Sequence, residues 1–215
     1  MNRIIAVTII GFICGVLGTG LGGVAVFFLK NPGKRFMGAL LGFTGGIMLS
    51  VVCFDLLPHA FNTGGMITGF AGILLGVAVI LILDGLIVGA TEAKTMSGNI
   101  SRSFIKSGIL LGLGIALHNF PEGLAIGSGF AAGDTIGLSL AIVISLHDMP
   151  EGIAMAVPLR IGGYNRLKIL GYTILAGIPT GIGAFIGALL GNISDVFISL
   201  CLGFAGGAML YITCG

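Results

Sequence analysis

Long apolar runs constrain this chain more than any other feature of its sequence. Seven of them hold about 20 residues each, the length that an α-helix needs to cross the roughly 30 Å core of a bilayer. Only 8% of the residues are charged, 56% are hydrophobic, and the mean hydropathy is +1.14. Too few polar residues remain to cover a soluble protein. The sequence therefore predicts an all-α polytopic membrane protein, one transmembrane domain over 1–215, with spans near 4–29, 37–58, 66–90, 107–131, 135–158, 169–191 and 196–213.

The Lys and Arg residues orient these spans. Nine of the ten fall in the stretches 30–35, 92–106 and 160–168, and only Arg3 lies elsewhere. Short loops that are rich in Lys and Arg stay in the cytoplasm. We therefore expect a multi-pass protein of the cell (inner or plasma) membrane, embedded in the lipid bilayer with its N-terminus outside. Because the basic residues cluster only at span ends, nothing points to a nucleic-acid partner.

An internal repeat links the second and seventh spans. GFTGGIMLSVVCF at 42–54 matches GFAGGAMLYITCG at 203–215 at seven of thirteen positions. The two spans run in opposite directions through the membrane, so the copies are inverted. Inverted repeats around a site at the membrane midplane are typical of secondary transporters.

Two matching polar motifs interrupt the apolar runs. The stretch at 118–123 reads HNFPEG, and the stretch at 147–152 reads HDMPEG. His118 and Glu122 are four residues apart, as are His147 and Glu151, so each pair shares one helix face with about 6 Å between its members along the axis. Counted from the nearest basic loop residues, both histidines lie about 18–20 Å from the cytoplasmic boundary. This depth is near the bilayer centre.

Carboxylates at this depth are costly. Glu122, Asp148 and Glu151 would together cost on the order of 10 kcal/mol if they were ionised and unpaired, and no span carries a Lys or Arg that pairs with them. A cation from outside the chain is the simplest compensation. Two imidazoles and two carboxylates suit a divalent transition metal such as Zn²⁺. The alternative is a buried polar network bonded only to itself, with the two matching motifs a coincidence.

With these motifs in consecutive spans, the chain resembles the ZIP (Zrt/Irt-like) divalent metal transporters, close to the bacterial members. The resemblance implies a helical bundle with inverted repeats and eight spans, homodimers in many members, and movement of Zn²⁺ or of Cd²⁺, Fe²⁺ or Mn²⁺ into the cytoplasm. By that resemblance His118, Glu122, His147 and Glu151 form one metal site. Asn119, Asp148 and a bridging Glu151 contribute to a second site; the alternative is that Asn119 and Asp148 only orient the histidines.

Two departures from the family pattern stand out. Where many members carry a Glu in the sixth span for the second site, the stretch AGIPTGIG at 176–183 has Thr180, so this site is expected to be weak or absent. The chain also ends within the seventh span. We therefore expect a sequence that is incomplete at its C-terminus, with seven spans instead of eight.

Three further ionisable residues lie on the expected transport path. Asp55 and His59 are either an entrance ligand pair or a solvated span end at which Pro58 terminates the helix. Asp84 lies in the inner half of the third span and faces nothing basic. It is expected to be an exit-side metal ligand, with a purely structural role as the alternative.

Two other functions also place a metal ion inside the membrane. An intramembrane zinc metalloenzyme also holds zinc at depth, but the HExxH motif of such proteases is absent from this sequence. A passive metal channel cannot be told from a carrier by sequence. We expect a transporter that is not an enzyme, with the metal ion as its substrate and no prosthetic group.

Overall fold

The computed structural model describes residues 2–28, 33–92 and 100–214, and over these ranges the chain forms eight α-helices and one π-helical turn. In chain order the elements are α1 (Asn2–Ala25), α2 (Lys34–Val51), the π-turn (Val52–Leu56), α3 (Leu57–Gly64), α4 (Met66–Glu92), α5 (Ile100–Ala132), α6 (Asp134–Ile161), α7 (Arg166–Gly191) and α8 (Asp195–Cys214).

The predicted membrane spans are confirmed. Seven segments of the described chain are helices long and apolar enough to cross a membrane. Several helices extend beyond the predicted spans: α5 begins at Ile100 instead of near 107, and α7 at Arg166 instead of 169. The prediction followed apolar residues alone, whereas helices continue through the polar residues at the membrane surface.

Pro58 does not terminate the second span, so this part of the sequence interpretation was wrong. The π-turn Val52–Leu56 follows α2 directly, and α3 continues to Gly64. Pro58 falls in the first turn of α3, where a missing N–H is tolerated. The N–H of Leu57 bonds to the carbonyl of Val52, five residues back. The wider turn lets the span pass through the proline as continuous helix.

Helix α1 has two contrasting faces, which explains its place at the edge of a membrane bundle. One face carries large apolar side chains that are about half exposed, as expected for contact with lipid. The opposite face carries buried glycines that contact α6 and α7. The apolar face consists of Ile5, Ile9, Ile13, Leu17 and Leu21; the glycine face consists of Gly11, Gly15, Gly18 and Gly22.

Helices α1, α5, α6 and α7 form a four-helix bundle, in which α1 and α5 each pack against both α6 and α7. A Cβ atom at Gly123 of α5 would lie 2.0 Å from the carbonyl oxygen of Thr180 in α7. One at Gly152 of α6 would lie 2.2 Å from the carbonyl oxygen of Thr19 in α1. Glycine permits this close approach of helix backbones, which is a common way of packing helices in membranes.

A second group of helices, α3, α4 and α8, packs beside the bundle and contacts it mainly through α5. Here too glycines face carbonyls: a Cβ at Gly76 of α4 would lie 2.1 Å from the carbonyl oxygen of Phe204 in α8. The two groups meet at an apolar seam of fully buried side chains. This seam includes Leu56, Ile126, Ile144, Leu202 and Met209.

Contacts at the two ends of the bundle agree with the predicted direction in which successive spans cross the membrane. At one end, the Arg160 side chain of α6 donates to the carbonyl of Val26, just after α1. At the other end, Arg3 donates to the carbonyl of Phe130 at 2.8 Å and forms an ion pair with Asp134 at 2.7 Å. Val26, which precedes the first basic stretch (30–35), therefore lies at the same end of the bundle as Arg160, which begins the third (160–168). Which end faces the cytoplasm stays a prediction.

Candidate metal centre

The six polar residues of the two motifs lie inside the four-helix bundle. Each motif is part of a helix that continues through its own proline, so its His and Glu share a face. All six residues are between 0% and 5% exposed. They are His118, Asn119 and Glu122 on α5, and His147, Asp148 and Glu151 on α6.

Contacts between the motifs are crossed. Nε2 of His118 lies 2.5 Å from Oε2 of Glu151, and Nε2 of His147 lies 2.7 Å from Oε1 of Glu122. Each histidine therefore meets the glutamate of the other helix, because the two polar faces point at each other across the bundle. The two motifs therefore contact each other through two His–Glu pairs, each of which joins α5 to α6.

The two ring nitrogens of His147 have different partners. Its Nδ1 lies 3.1 Å from the carbonyl of Val143 and donates to it, which leaves Nε2 as the atom that faces the cluster. That Nε2 lies 2.7 Å from Oε1 of Glu122 and 3.7 Å from Oδ1 of Asp148. A lone pair on Nε2 would face carboxylate lone pairs, so a proton or a metal ion between them is favourable.

The closest potential ligand set in the described chain consists of Glu122, His147 and Asp148. One ligand atom from each of them lies within 4.8 Å of the others. His118 and Glu151 form the neighbouring pair. Nitrogen and carboxylate oxygen are ligands that Zn²⁺ accepts.

Several buried oxygen atoms of this region accept no hydrogen bond from the part of the chain that the structure describes. Each such atom costs about 1–3 kcal/mol if nothing else compensates it. A cation compensates carboxylate and carbonyl oxygens directly, so the set fits cation binding. The atoms are Oδ1 of Asn119, Oε2 of Glu122, both carboxylate oxygens of Asp148, and Oγ1 of Thr180.

Sequence reasoning missed the part that α1 plays in this site. A Cβ atom at Gly18 would lie 2.5 Å from Cβ of Asp148, and one at Gly15 would lie 2.4 Å from Oγ1 of Thr180. Glycines in α1 thus make room for side chains of α6 and α7. The spacing of small residues through the first span was the available signal, since such stripes mark close helix contacts.

The three proposed path residues lie outside this bundle. Asp55 and His59 are half-buried in the π-turn and α3, which belong to the second span. Nδ1 of His59 donates to the carbonyl of Asp55 at 2.7 Å. Asp84 is on α4, and its side chain lies outside the described residues.

The apolar helices define a multi-span membrane protein, and its core holds a buried group of His, Glu and Asp side chains with the spacing of a metal site. A family model described as the ZIP zinc transporter matches residues 88–214, which is more than half of the chain. This chain belongs to the ZIP family of transporters, as its two motifs indicated.

Relatives support the same assignment over nearly the whole chain. The zinc transporter ZupT of Corynebacterium glutamicum is 37% identical over 92% of this chain and 82% of its own length. ZupT of Akkermansia muciniphila is 36% identical over 99% of this chain and 86% of its own length. The zinc transporter ZTP29 of Arabidopsis thaliana is 32% identical over 93% of this chain and 79% of its own length. The family and these names indicate a transporter and not an enzyme.

Proposed function

We propose that this chain carries Zn²⁺ across the cell membrane into the cytoplasm, with His118, Glu122, His147 and Glu151 as ligands of the transported ion. The observation that carries the proposal is the crossed pairing of two histidines with two glutamates, fully enclosed in a bundle of apolar helices. Imidazole nitrogen and carboxylate oxygen are typical zinc ligands. The names of the relatives, all zinc transporters, favour zinc among the divalent ions.

Binding at this cluster competes with protons. A metal ion needs a free Nε2 lone pair and ionised carboxylates, so acid weakens binding and metal entry releases protons. The imidazole nitrogens and carboxylate oxygens that would bind the ion now lie 2.5 Å and 2.7 Å from each other. The ion would replace these direct contacts. Asn119 and Asp148 lie beside this set and contribute oxygen atoms to it.

Asp55 and His59 are proposed as the entrance pair. The Nδ1 of His59 is engaged by the carbonyl of Asp55, so Nε2 is the atom available to an arriving ion. A π-turn, which often marks a functional position in a helix, contains Asp55. Asp84 on α4 is proposed as a ligand on the exit side. A homodimer, which the family resemblance implies, stays a prediction.

The proposed direction follows from the basic loops. The stretches 30–35, 92–106 and 160–168 are assigned to the cytoplasm, and the N-terminus to the outside. Labelling of single cysteines tests this assignment after the four native cysteines are replaced by alanine. Thr135→Cys, near the start of α6, should react with an impermeant reagent in intact cells, and Leu167→Cys, near the start of α7, should not. The reverse result contradicts the orientation.

Uptake into proteoliposomes tests the function itself. The wild-type chain should accumulate Zn²⁺ with saturable kinetics, and the double variant His118→Ala/His147→Ala should not. Ser128→Ala is the matched control, because in the described part of the chain this buried hydroxyl on α5 donates to carbonyls of its own helix. Parallel assays with Cd²⁺, Fe²⁺ and Mn²⁺ give the ion preference. Flux that rises linearly with concentration would favour a passive channel, and uptake by the double variant would contradict the proposed site.

A further inference from the structure

One end of the bundle carries positive charge with few carboxylates to balance it. The basic stretches 30–35, 92–106 and 160–168 hold nine Lys and Arg residues but a single acidic residue, Glu92. The sequence has no Asp or Glu from 152 to 194, a range that includes the whole connection between α6 and α7. Counterions for the cations of this connection therefore come from the surroundings of the protein.

Two of these cations are held over aromatic rings. Cζ of Arg166 lies 5.6 Å from the centroid of the Phe27 ring. Nζ of Lys168 lies 5.6 Å from the centroid of the Tyr164 ring, which is itself stacked on Tyr172. At such distances the face of an aromatic ring attracts a cation. The two charged groups are therefore positioned by the protein before any anion arrives.

Arg160 brings a third cation to the same end. It donates to the carbonyl of Val26, the residue before Phe27, so the side chains of Arg160 and Arg166 contact consecutive residues at the end of α1. An Arg side chain has five N–H groups, so the bond to Val26 leaves others for a ligand. The three cations and two of the rings surround the start of α7, and we call them the basic–aromatic cluster: Phe27, Arg160, Tyr164, Arg166 and Lys168.

The exposed cations of this cluster lack an anionic partner within the protein. Arg166 and Lys168 are both exposed, and neither forms an ion pair with a carboxylate in the described ranges of the chain. At the opposite end of the bundle, Arg3 pairs with Asp134 at 2.7 Å. The protein thus supplies a counterion to a cation at one end, whereas these two cations at the other end remain available to an external anion.

Large apolar side chains lie beside the cations and indicate what kind of anion fits. Phe28 is 82% exposed, Leu167 is 80% exposed and Ile161 is 49% exposed, and each directly follows a residue of the basic–aromatic cluster. Tyr rings beside Lys and Arg are typical of the level of the lipid head groups, where long basic side chains reach the membrane surface. A phospholipid offers a phosphate to the cations and acyl chains to the apolar groups, whereas free phosphate offers only the first.

We propose that the basic–aromatic cluster binds the phosphate head groups of anionic phospholipids. The proposed orientation puts this end in the cytoplasmic leaflet, whose anionic lipids attract basic segments next to membrane helices. Because the cluster joins residues of α6 and α7 to the end of α1, bound lipid should stabilise the four-helix bundle. The test needs no zinc, so its failure leaves the proposed transport of zinc untouched.

Thermal unfolding of the purified full chain in detergent micelles tests the proposal. Phosphatidylglycerol is titrated at constant total lipid, with phosphatidylcholine of the same acyl chains as the remainder, so that only the net charge of the head group changes. The unfolding midpoint should rise saturably with the phosphatidylglycerol fraction. The rise should shrink in about 0.5 M NaCl, because salt screens charges at a surface. Native mass spectrometry counts the bound lipids.

The double variant Arg166→Gln/Lys168→Gln removes both exposed charges. Its apparent affinity for phosphatidylglycerol should fall about 10- to 30-fold, since each Lys or Arg near an anionic surface accounts for about fivefold. Arg166→Lys/Lys168→Arg keeps both charges and should keep most of the response. Arg3→Gln is the matched control, because it removes a cation that is already paired with Asp134 at the opposite end. It should keep the full response to phosphatidylglycerol.

Equal midpoints in the two lipids overturn the proposal, and so does a wild-type response in the double variant. An equal rise with inorganic phosphate would indicate a site for free anions, and an equal rise with polyglutamate would indicate an acidic protein partner. Either result overturns the assignment to lipid. If the double variant fails to fold, Arg166→Gln and Lys168→Gln are compared singly, and unchanged affinity in both contradicts the proposal.

Discussion

The HNFPEG motif on α5 and the HDMPEG motif on α6 agree at four of six positions, yet the structure uses their second residues in different ways. The amide of Asn119 donates to the carbonyl of Ala176 and ties α5 to α7. Asp148 has no proton to donate when it is ionised, and it packs against Gly18 of α1. The α5 copy therefore ties two helices together at this position, whereas the α6 copy brings a carboxyl group to the site. Matching motifs in neighbouring spans are not interchangeable.

Removing the histidine from both motifs should have the largest effect. His118→Ala/His147→Ala deletes both nitrogen ligands, and we expect zinc affinity to fall by at least about 100-fold. Calorimetric titration of folded protein measures this, with Ser128→Ala as the control on α5. Near-native affinity in the double variant would end the proposal that the two copies form one site.

Exchanging the second residues tests the contrast directly. Asp148→Asn replaces a carboxyl oxygen with an amide nitrogen but removes no contact with α7, so zinc affinity should fall by about tenfold with little loss of stability. Asn119→Asp removes the donor to Ala176 and adds a charge, so it should destabilise the fold by about 1–3 kcal/mol. Thermal unfolding and zinc titration of both variants separate the two effects. Equal losses of affinity and stability in the two variants would show that the copies are equivalent after all.

The glycine face of α1 offers a third comparison. A methyl group at Gly18 would lie 2.5 Å from Cβ of Asp148, whereas at Gly46 on α2 nothing lies within 4 Å in the described structure. Gly18→Ala should lower both the unfolding midpoint and zinc affinity, because the backbone or Asp148 must shift by a few tenths of an ångström or more. Gly46→Ala should be neutral or stabilising by about 0.5–1 kcal/mol. A harmless Gly18→Ala would mean that α1 is not packed against the site.

Thr180→Glu should have the smallest effect, a change of stoichiometry. With Thr180 in place, the second metal site has too little negative charge to hold a dication next to the Zn²⁺ at the first site. We expect about one tightly held Zn²⁺ per wild-type chain and about two in Thr180→Glu, because a carboxylate adds both charge and a ligand. Metal content after dialysis against a weak chelator gives the ratio. Two tightly held ions in the wild type would contradict this account of Thr180.

The sequence predicted the spans well because lipid imposes strict length and composition on a helix. The seven helices and the placement of all six motif residues in a buried interior followed from apolar runs and four-residue spacing. The end of the second span was wrong, because a π-turn before Pro58 was not foreseen. Turn geometry of this kind depends on local packing, which the pattern of apolar residues does not contain.

The sequence also did not predict which histidine contacts which glutamate. Spacing places His118 and Glu122 on one face, but it does not tell that His118 contacts Glu151 of the other helix. That contact depends on how α5 and α6 rotate against each other, which the glycine contacts with α1 and α7 determine. Ala176 accepts the hydrogen bond from Asn119 through its backbone carbonyl. Every residue type has this carbonyl, so the sequence gives no sign of the contact.

X-ray absorption spectroscopy at the zinc edge tests most directly whether both motifs hold one ion. For the zinc-loaded wild type, the account predicts two imidazole ligands with Zn–N distances of about 2.0–2.1 Å and the remaining ligands carboxylate oxygen. His118→Ala and His147→Ala should each remove one imidazole from the first shell. A wild-type spectrum without imidazole scattering, or one that neither substitution changes, would contradict the account.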